Sequence, residues 1–417
     1  MRIIHVNPFY TPWIGGGTVH IRALSERLAR RGHDVTLLTQ RRRGPRSPAA
    51  DRSLPPRERI AGVGVRRLLP SPRRASLLER FLLVRGGRRL LRACVGEGEI
   101  PLVLDQSWSA GLFLLALLLR PDVVTVMNFA ASAWAHPIFL AKRLGRFPLV
   151  GIPLLHTEQP WACGPVTGDL LRRCDALLLN TSHERDFVLS LGCHPARSHV
   201  LGPGVEPGLL SRGDGADFRR RHRIGEAPLV GYVGRVEPLK GVVTLVEAMR
   251  IVWTRQPAAR LLIAGPSSPT GSPEERACAE ALDALSAGER RRVVRLDGFD
   301  DADKASLLAA LDVLAMPSVV ESFGLTYLEA WACGKPVVGA RVAAVECVVD
   351  HGVDGLLVRP HDRDETAAAI SALLSDPGLR ERMGTAGHRK VMARFTWEPI
   401  VDAVEALYRD LAGSRAP

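Results

Sequence analysis

The chain lacks the marks of several large function classes. Its seven cysteines, at 94, 163, 174, 193, 278, 333 and 347, form no C-x-x-C pair and no Cys/His cluster with zinc spacing. That pattern, with its odd count, points to reduced thiols in a cytoplasmic protein. The longest apolar run, 112–119, is eight residues, against the roughly 20 that a membrane span needs, so a buried helix is expected there. The opening M-R-I-I-H-V-N-P is a short strand-like run leading into a turn, too short for the apolar core of a signal peptide. The spaced G-x-G-x-x-G dinucleotide fingerprint and the phosphate-binding P-loop are both missing, as is any solenoid-type repeat.

Net charge is also missing from most of the chain. Of the overall +12, the segment 41–92 alone carries sixteen Arg against three acids (Asp51, Glu58, Glu79), a balance of +13. Charge confined to one segment argues against a general affinity for polyanions. Phe81 is its only aromatic residue, so it offers no stacking platform, and no nucleic-acid partner is expected. Within it Arg85, Arg88, Arg89 and Arg92 share one face of a helical projection, broadly opposite Leu83, Leu90, Leu91, Cys94 and Val95. Gly86 and Gly87 weaken that helix. Two readings stand: a patch for an anionic membrane surface or a polyprenyl-phosphate acceptor, gaining about 1 kcal/mol per Arg, or a helix packed on a sheet with its Arg side chains in water. The first would place the protein at the inner face of a membrane.

What is present is an alternation of short β-branched runs with helical patterns, the mark of βαβ units and parallel sheets. With 417 residues and 46% hydrophobic content, two domains are expected. In the first half the pattern predicts strands at 2–6, 34–39, 101–105, 122–127, 148–154 and 176–180, and helices at 17–31, 76–95, 109–119, 132–144 and 183–191. The stretch 41–75, rich in Arg, Pro, Ser and Gly, reads as an irregular loop with short strand pieces. G-P-G-V-E-P-G at 202–208 reads as a hinge. A second alternation follows, with strands at 228–233, 260–264, 292–296, 312–316 and 336–339 and helices at 240–254, 274–286, 302–310, 323–333 and 364–374. A final helix of about 397–412 tolerates Pro399 in its first turn, with Thr396 available as its cap.

Open α/β sheets bind ligands at the carboxyl ends of their strands, which directs attention to four places. E-S-F-G-L-T-Y-L-E at 321–329 sets Glu321 before a helix start and Glu329 roughly two turns in. Gly324 permits close backbone approach there, and the unpaired first N–H groups of the helix suit a phosphate. That spacing suits one carboxylate on a sugar hydroxyl and the other on a ribose, with a diphosphate between; an ordinary amphipathic helix with an exposed Glu at each end is the plainer alternative. Gly234-Arg235 and Lys240-Gly241 put two cations at a strand's end, where a leaving diphosphate needs compensation; a solvated surface pair is the plainer alternative. Gly15, Gly16 and Gly17 follow the first strand, as a ligand-approaching turn or simply a tight βα connection. His156 stands at the end of P-L-V-G-I-P-L-L, beside the expected cleft, whereas His20, His33, His136, His183 and His194 are read as structural.

These pieces, in this order, resemble the retaining glycosyltransferases of family four, which have the two-domain GT-B fold. The matching stretches span nearly the whole chain: the glycines at 15–17 with R-G-H-D-V-T (31–36), P-D-V-V (121–124), L-L-H (154–156), C-D-A-L-L-L-N-T-S (174–182), G-P-G-V-E (202–206), V-G-R-V-E-P-L-K-G (233–241), the Glu321/Glu329 pair and D-G-L-L-V (354–358). The resemblance implies an α/β chain of two Rossmann-like parallel-sheet domains facing a cleft. It sets an acceptor domain at 1–203, a nucleotide-sugar donor domain at 204–395, and a C-terminal helix at 396–417 crossing back to the first domain. It implies that Glu321 holds donor-sugar hydroxyls and Glu329 the ribose, with backbone of Ser322, Phe323, Gly324 and Leu325 near the phosphates. Arg235 and Lys240 beside Gly234 would stabilise the departing diphosphate, and His156 would lie against the sugar. Gly16 and Gly17 would lie near the diphosphate or acceptor, and Gly298 and Phe299 would meet the base through main-chain groups. The expected partners are a nucleotide-sugar donor and a glycan, lipid-linked or small-molecule acceptor; neither cofactor nor metal is expected. A non-catalytic binding subunit and a nucleotide-sugar epimerase are the competing readings on the same fold. Two departures from the family pattern are visible: Ala343 and Ala344 replace a frequent Gly pair ahead of Glu346, and Glu206 stands where Asp is usual.

Overall fold

The computed structural model describes residues 1–13, 15–42, 51–69, 109–130, 133–266 and 273–414. The chain divides into two compact units, one formed by Met1–Pro203 with the C-terminal stretch from Trp397, the other by Gly204–Thr396. The strand expected at 101–105 and the helix at 76–95, with the Arg face at 85–92, lie outside the described residues.

The first unit is built on eight strands: β1 (Arg2–Val6), β2 (Asp34–Gln40), β3 (Arg57–Ile60), β4 (Val63–Leu68), β5 (Val123–Met127), β6 (Leu149–Ile152), β7 (Ala176–Leu179) and β8 (Ser198–Val200). Their order is β3-β4-β2-β1-β5-β6-β7-β8. Every neighbouring pair is parallel except β3 with β4. β5, β6 and β7 are buried along their whole length, as expected where helices cover both faces of a parallel sheet. The stretch expected to be irregular thus contains a regular antiparallel hairpin on the sheet edge, turning at Ala61 and Gly62 with φ of 46° and 86°. Positive φ at both turn residues matches the twist of the flanking strands. Part of the basic charge is spent inside it. Arg41 donates to the carbonyls of Leu54 (2.6 Å) and Arg52 (2.7 Å), and buried Arg67 pairs with Glu58 and donates to the Thr11 carbonyl at 2.9 Å.

The second unit holds β9 (Leu229–Val233), β10 (Arg260–Ala264), β11 (Val293–Leu296), β12 (Val313–Met316), β13 (Val337–Ala340) and β14 (Gly355–Val358). The order is β11-β10-β9-β12-β13-β14, all parallel. In each unit the strand order reverses once, between β1 and β5 and between β9 and β12. Such switch points open a crevice above the carboxyl ends of the two strands, where ligands of open α/β sheets bind.

The C-terminal helix Trp397–Gly413 presents Trp397, Ile400, Val401, Val404 and Tyr408 as one apolar stripe to the first unit, beside Ile3, Ile21, Leu24 and Leu28. Polar ties fix its angle. The Tyr408 hydroxyl bonds Thr125 and meets His5 Nε2 at 3.3 Å. The Arg31 guanidinium reaches Asp402 (2.6 Å), Glu398 (2.7 Å) and Glu405 (2.9 Å).

Candidate active site

In the second unit the loops leaving β9 and β12 are zipped together. After β9 comes a single 3₁₀ turn, Pro238–Lys240, before the helix Val242–Arg255. Gly241 between them has φ +75°, and a Cβ there would overlap the Pro317 carbonyl, so only glycine lets the two backbones approach this closely. Val319 N–H donates to the Leu239 carbonyl at 2.9 Å. Lys240, held by these contacts, donates from Nζ to the Val320 carbonyl at 3.0 Å and to Glu321 Oε1 at 2.8 Å. Its side chain and that of Glu321 are 16% and 13% exposed. The pair is shielded enough to be electrostatically firm and open enough for a polar ligand to reach.

The helix after Glu321 runs Leu325–Ala332, capped by Gly324 in the left-handed region at φ +91°. A Cβ on Gly324 would overlap the Tyr327 ring. That ring is buried and its hydroxyl donates to the Met316 carbonyl at 2.7 Å. Because the helix starts at Leu325 and not at 323, Glu329 lies little more than one turn in rather than two. Its carboxylate is buried and Oε1 takes an ion pair from Lys304, while Oε2 accepts no hydrogen bond among the described residues. Buried polar atoms are as a rule hydrogen-bonded, so an acceptor left over in this way has room for a donor from outside the described residues. Thr326 Oγ donates to the Val233 carbonyl at 3.3 Å, tying the helix start to the end of β9.

The other expected residues fall as follows. Arg235 follows Gly234 at the end of β9; its guanidinium is 43% exposed and holds Glu237 Oε1 at 2.7 Å. The Tyr232 hydroxyl is buried under this loop beside Glu321 and Glu237, and burial first, then those carboxylates, push its pKa well above the usual tyrosine range. Ser322 is half-buried. Phe323 is a core residue, edge-on to Phe395 at 5.7 Å, so only its backbone is available to a ligand. Gly298 is exposed and Phe299 half-buried on the core, both after edge strand β11. Two strand spacings, roughly 10 Å, separate β11 from β9. Glu346 is exposed, 3.9 Å from Arg341.

In the first unit Gly16 and Gly17 open the helix Gly16–Arg30 directly after the β1 loop. His156 lies in the loop after β6, half-buried. These two loops meet: a Cβ on Gly17 would come within 2.9 Å of Leu154 Cδ1. Sequence reading did not single out Lys304, Glu237 or Tyr232. Lys304 sits 25 positions from Glu329, on another helix, and no local pattern marks it. Among the described residues no group of three His, Cys, Asp or Glu side chains is placed to hold a metal ion, and no helix is long and apolar enough to cross a membrane.

Comparison with known proteins gives a consistent answer. Residues 14–209 match the model of glycosyltransferase family 4, and residues 215–390 match that of glycosyl transferases group 1. The D-inositol 3-phosphate glycosyltransferase of Acidothermus cellulolyticus is 31% identical over 100% of this chain and 90% of its own length. That of Segniliparus rotundus is 32% identical over 97% and 87%. Among solved structures, sucrose-phosphate synthase from Thermosynechococcus elongatus aligns with a TM-score of 0.76 at 22% identity, over 99% of both chains. The Anabaena HepE in complex with UDP and glucose aligns at 0.74 and 20% identity, over 98% of this chain and 100% of that one. Both share the two-unit parallel-sheet architecture.

Proposed function

The chain belongs to glycosyltransferase family 4, of the glycosyl transferases of group 1 with the GT-B fold, and on that premise we propose that it moves a sugar from a nucleotide-sugar donor to an acceptor hydroxyl with retention of anomeric configuration. The observation that carries the donor site is the Lys240–Glu321 pair at the β9/β12 switch point, directly before the glycine-capped helix start. An incoming diphosphate competes with Glu321 for Lys240 and adds the exposed fork of Arg235, which suits two phosphate oxygens. Glu321, released from its cation, accepts hydroxyls of the donor sugar. The opening amides at Leu325 and Thr326 face the phosphates with the positive end of the helix dipole. Glu329 Oε2, a buried acceptor without a donor among the described residues, takes a ribose hydroxyl.

Charge compensation by Lys240, Arg235 and the helix start stabilises the diphosphate as it leaves, the point at which negative charge builds up. Neither carboxylate is assigned as a covalent nucleophile: Glu329 stays buried against Lys304, and Glu321 is given to the hydroxyls of the donor sugar. A front-face route fits this set of residues: the leaving phosphate accepts the acceptor's proton, and the new bond forms on the face the diphosphate vacates. The names of the relatives make D-inositol 3-phosphate the first acceptor to assay. The test is proton NMR of the product from a panel of nucleotide sugars, each with and without acceptor. A product with the donor's own anomeric configuration is expected. An inverted product contradicts the front-face route, and a donor altered equally without acceptor contradicts transfer.

A further inference from the structure

His183 and Glu184 directly follow the stretch C-D-A-L-L-L-N-T-S at 174–182. They lie in the first turn of the helix Ser182–Ser190, whose cap is Thr181: the Thr181 hydroxyl accepts from Glu184 N–H at 3.0 Å. A cap of this kind needs only that bond and a return bond from the glutamate to the start of the helix. Glu184 does more. One of its oxygens accepts from Asn180 N–H at 2.7 Å, and the other accepts from Leu155 N–H at 2.8 Å. Leu155 immediately precedes His156. On the other side of His156, Thr157 Oγ shares a 2.8 Å hydrogen bond with His183 Nε2. Two consecutive residues of one helix therefore grip the backbone before His156 and the side chain after it.

We propose that Glu184 and His183 are positioning residues for His156, fixing the loop after β6 so that its imidazole holds one place beside the Gly16–Gly17 turn. The proposal rests on the transferase reading, together with the family resemblance, which implies that His156 lies against the donor sugar. Three further observations agree with it. Glu184 is 2% exposed and makes no ion pair among the described residues, a placement that costs stability. Its two amide bonds favour the ionised form against burial, which pushes its carboxyl up to about 7, so the two-acceptor clamp is complete above that pH. Only a carboxylate offers two acceptors and no donor to a pair of converging N–H groups; glutamine would set its own NH₂ against one of them. Finally, Leu154 adopts φ +54°, uncommon for leucine, and its side chain fills the space that the missing Cβ of Gly17 leaves. The loop is thus pinned from beneath by Glu184 and against the glycine turn by Leu154.

The test combines two readouts. Histidine-selective NMR of the full chain, with His156 assigned by His156→Ala, is expected to show its signal shifted or split in Glu184→Gln and in Thr157→Val, while histidines remote from the loop stay unchanged. In the transfer assay Glu184→Gln is expected to lower kcat by about 10- to 100-fold, the scale of a misplaced group near the reaction, with KM for the donor changed less than about 3-fold. In the His156→Ala background the same substitution is expected to cost less than about 3-fold more, because there is nothing left to position. Melting curves identify any variant that is unfolded, and Thr157→Val keeps the test valid if Glu184→Gln is. An unmoved His156 signal, or losses that multiply across the cycle, overturns the positioning role and leaves the transferase reading standing. Absence of transfer with every donor strikes the transferase reading instead, and the NMR result alone then decides the clamp.

Discussion

Glu321 and Glu329 differ in what surrounds them, and this separates their expected effects. Glu321 shares Lys240 in a partly open site, whereas Glu329 is buried against Lys304 with one oxygen to spare. Glu329→Ala is expected to weaken nucleoside diphosphate binding by about 10- to 100-fold, corresponding to roughly 1.5–3 kcal/mol for hydrogen bonds to a charged group, as read by calorimetric titration. Glu321→Ala is expected to act chiefly on kcat. Equal and negligible effects of the two would contradict both roles. The carboxylate pair was legible in the sequence because both members lie on one short segment, as were Arg235 and Lys240 between their glycines. Their partners were not: Lys304 and Glu237 reach the site through tertiary packing or as ordinary loop residues. His183, read as structural, turned out to grip the loop of the one histidine singled out.

At the scale of elements, Gly324 is where backbone geometry and the proposed phosphate site coincide. Its φ of +91° and the Tyr327 ring against its missing Cβ leave no room for a side chain. Gly324→Ala is therefore expected to cost about 1–3 kcal/mol through backbone strain, with more if the ring must move, and to displace the helix start from the phosphate position. Denaturant unfolding measures the first effect and nucleotide titration the second; unchanged stability would show that the loop relaxes without cost. Most elements of both sheets were readable because buried parallel strands are continuous apolar runs bracketed by helical patterns. The helix Pro377–Arg394 was not. It contains Gly378, Gly384 and Gly387, which argue against a helix on propensity. A Cβ on Gly387 would overlap the Trp331 ring, so packing against the helix Leu325–Ala332 overrides local preference. Short strand pieces were expected where the edge hairpin β3–β4 lies, but its arginines hid their pairing, and the late start of the helix Leu325–Ala332 was invisible because a left-handed cap leaves no periodic trace.

For the whole molecule, acid sensitivity should come from the first unit. Burial pushes His5 down to about 3, helped by His20, and pushes His20 and His136 down to about 4. Below their ordinary value of 6.5 the unfolded chain binds protons that the folded chain refuses, so stability falls as pH drops from 6.5 towards 4. Glu405 adds to this loss: Arg31 first, with His33, holds it below the usual glutamate range, so its contribution disappears as pH falls through its lowered value. Glu184 works the other way. Raised to about 7 from 4.5, it favours the fold below 4.5 and loses that contribution as pH rises to 7. Three histidines outweigh one glutamate between pH 7 and 5, so the melting temperature should drop over that interval; a flat or rising profile would contradict the assignment of neutral buried histidines.

In the proposed donor site the second unit binds the nucleoside diphosphate part of a sugar donor through Lys240, Arg235, the Gly324 helix start and Glu329. Thermal unfolding across a panel of nucleoside diphosphates and nucleotide sugars tests it most directly, since a ligand at 100 times its Kd adds about 2.7 kcal/mol of apparent stability by mass action. At least one base is expected to raise the transition, and Glu329→Ala to abolish most of the shift at the same concentration. No shift with any nucleotide, or a shift that Glu329→Ala leaves intact, would contradict it.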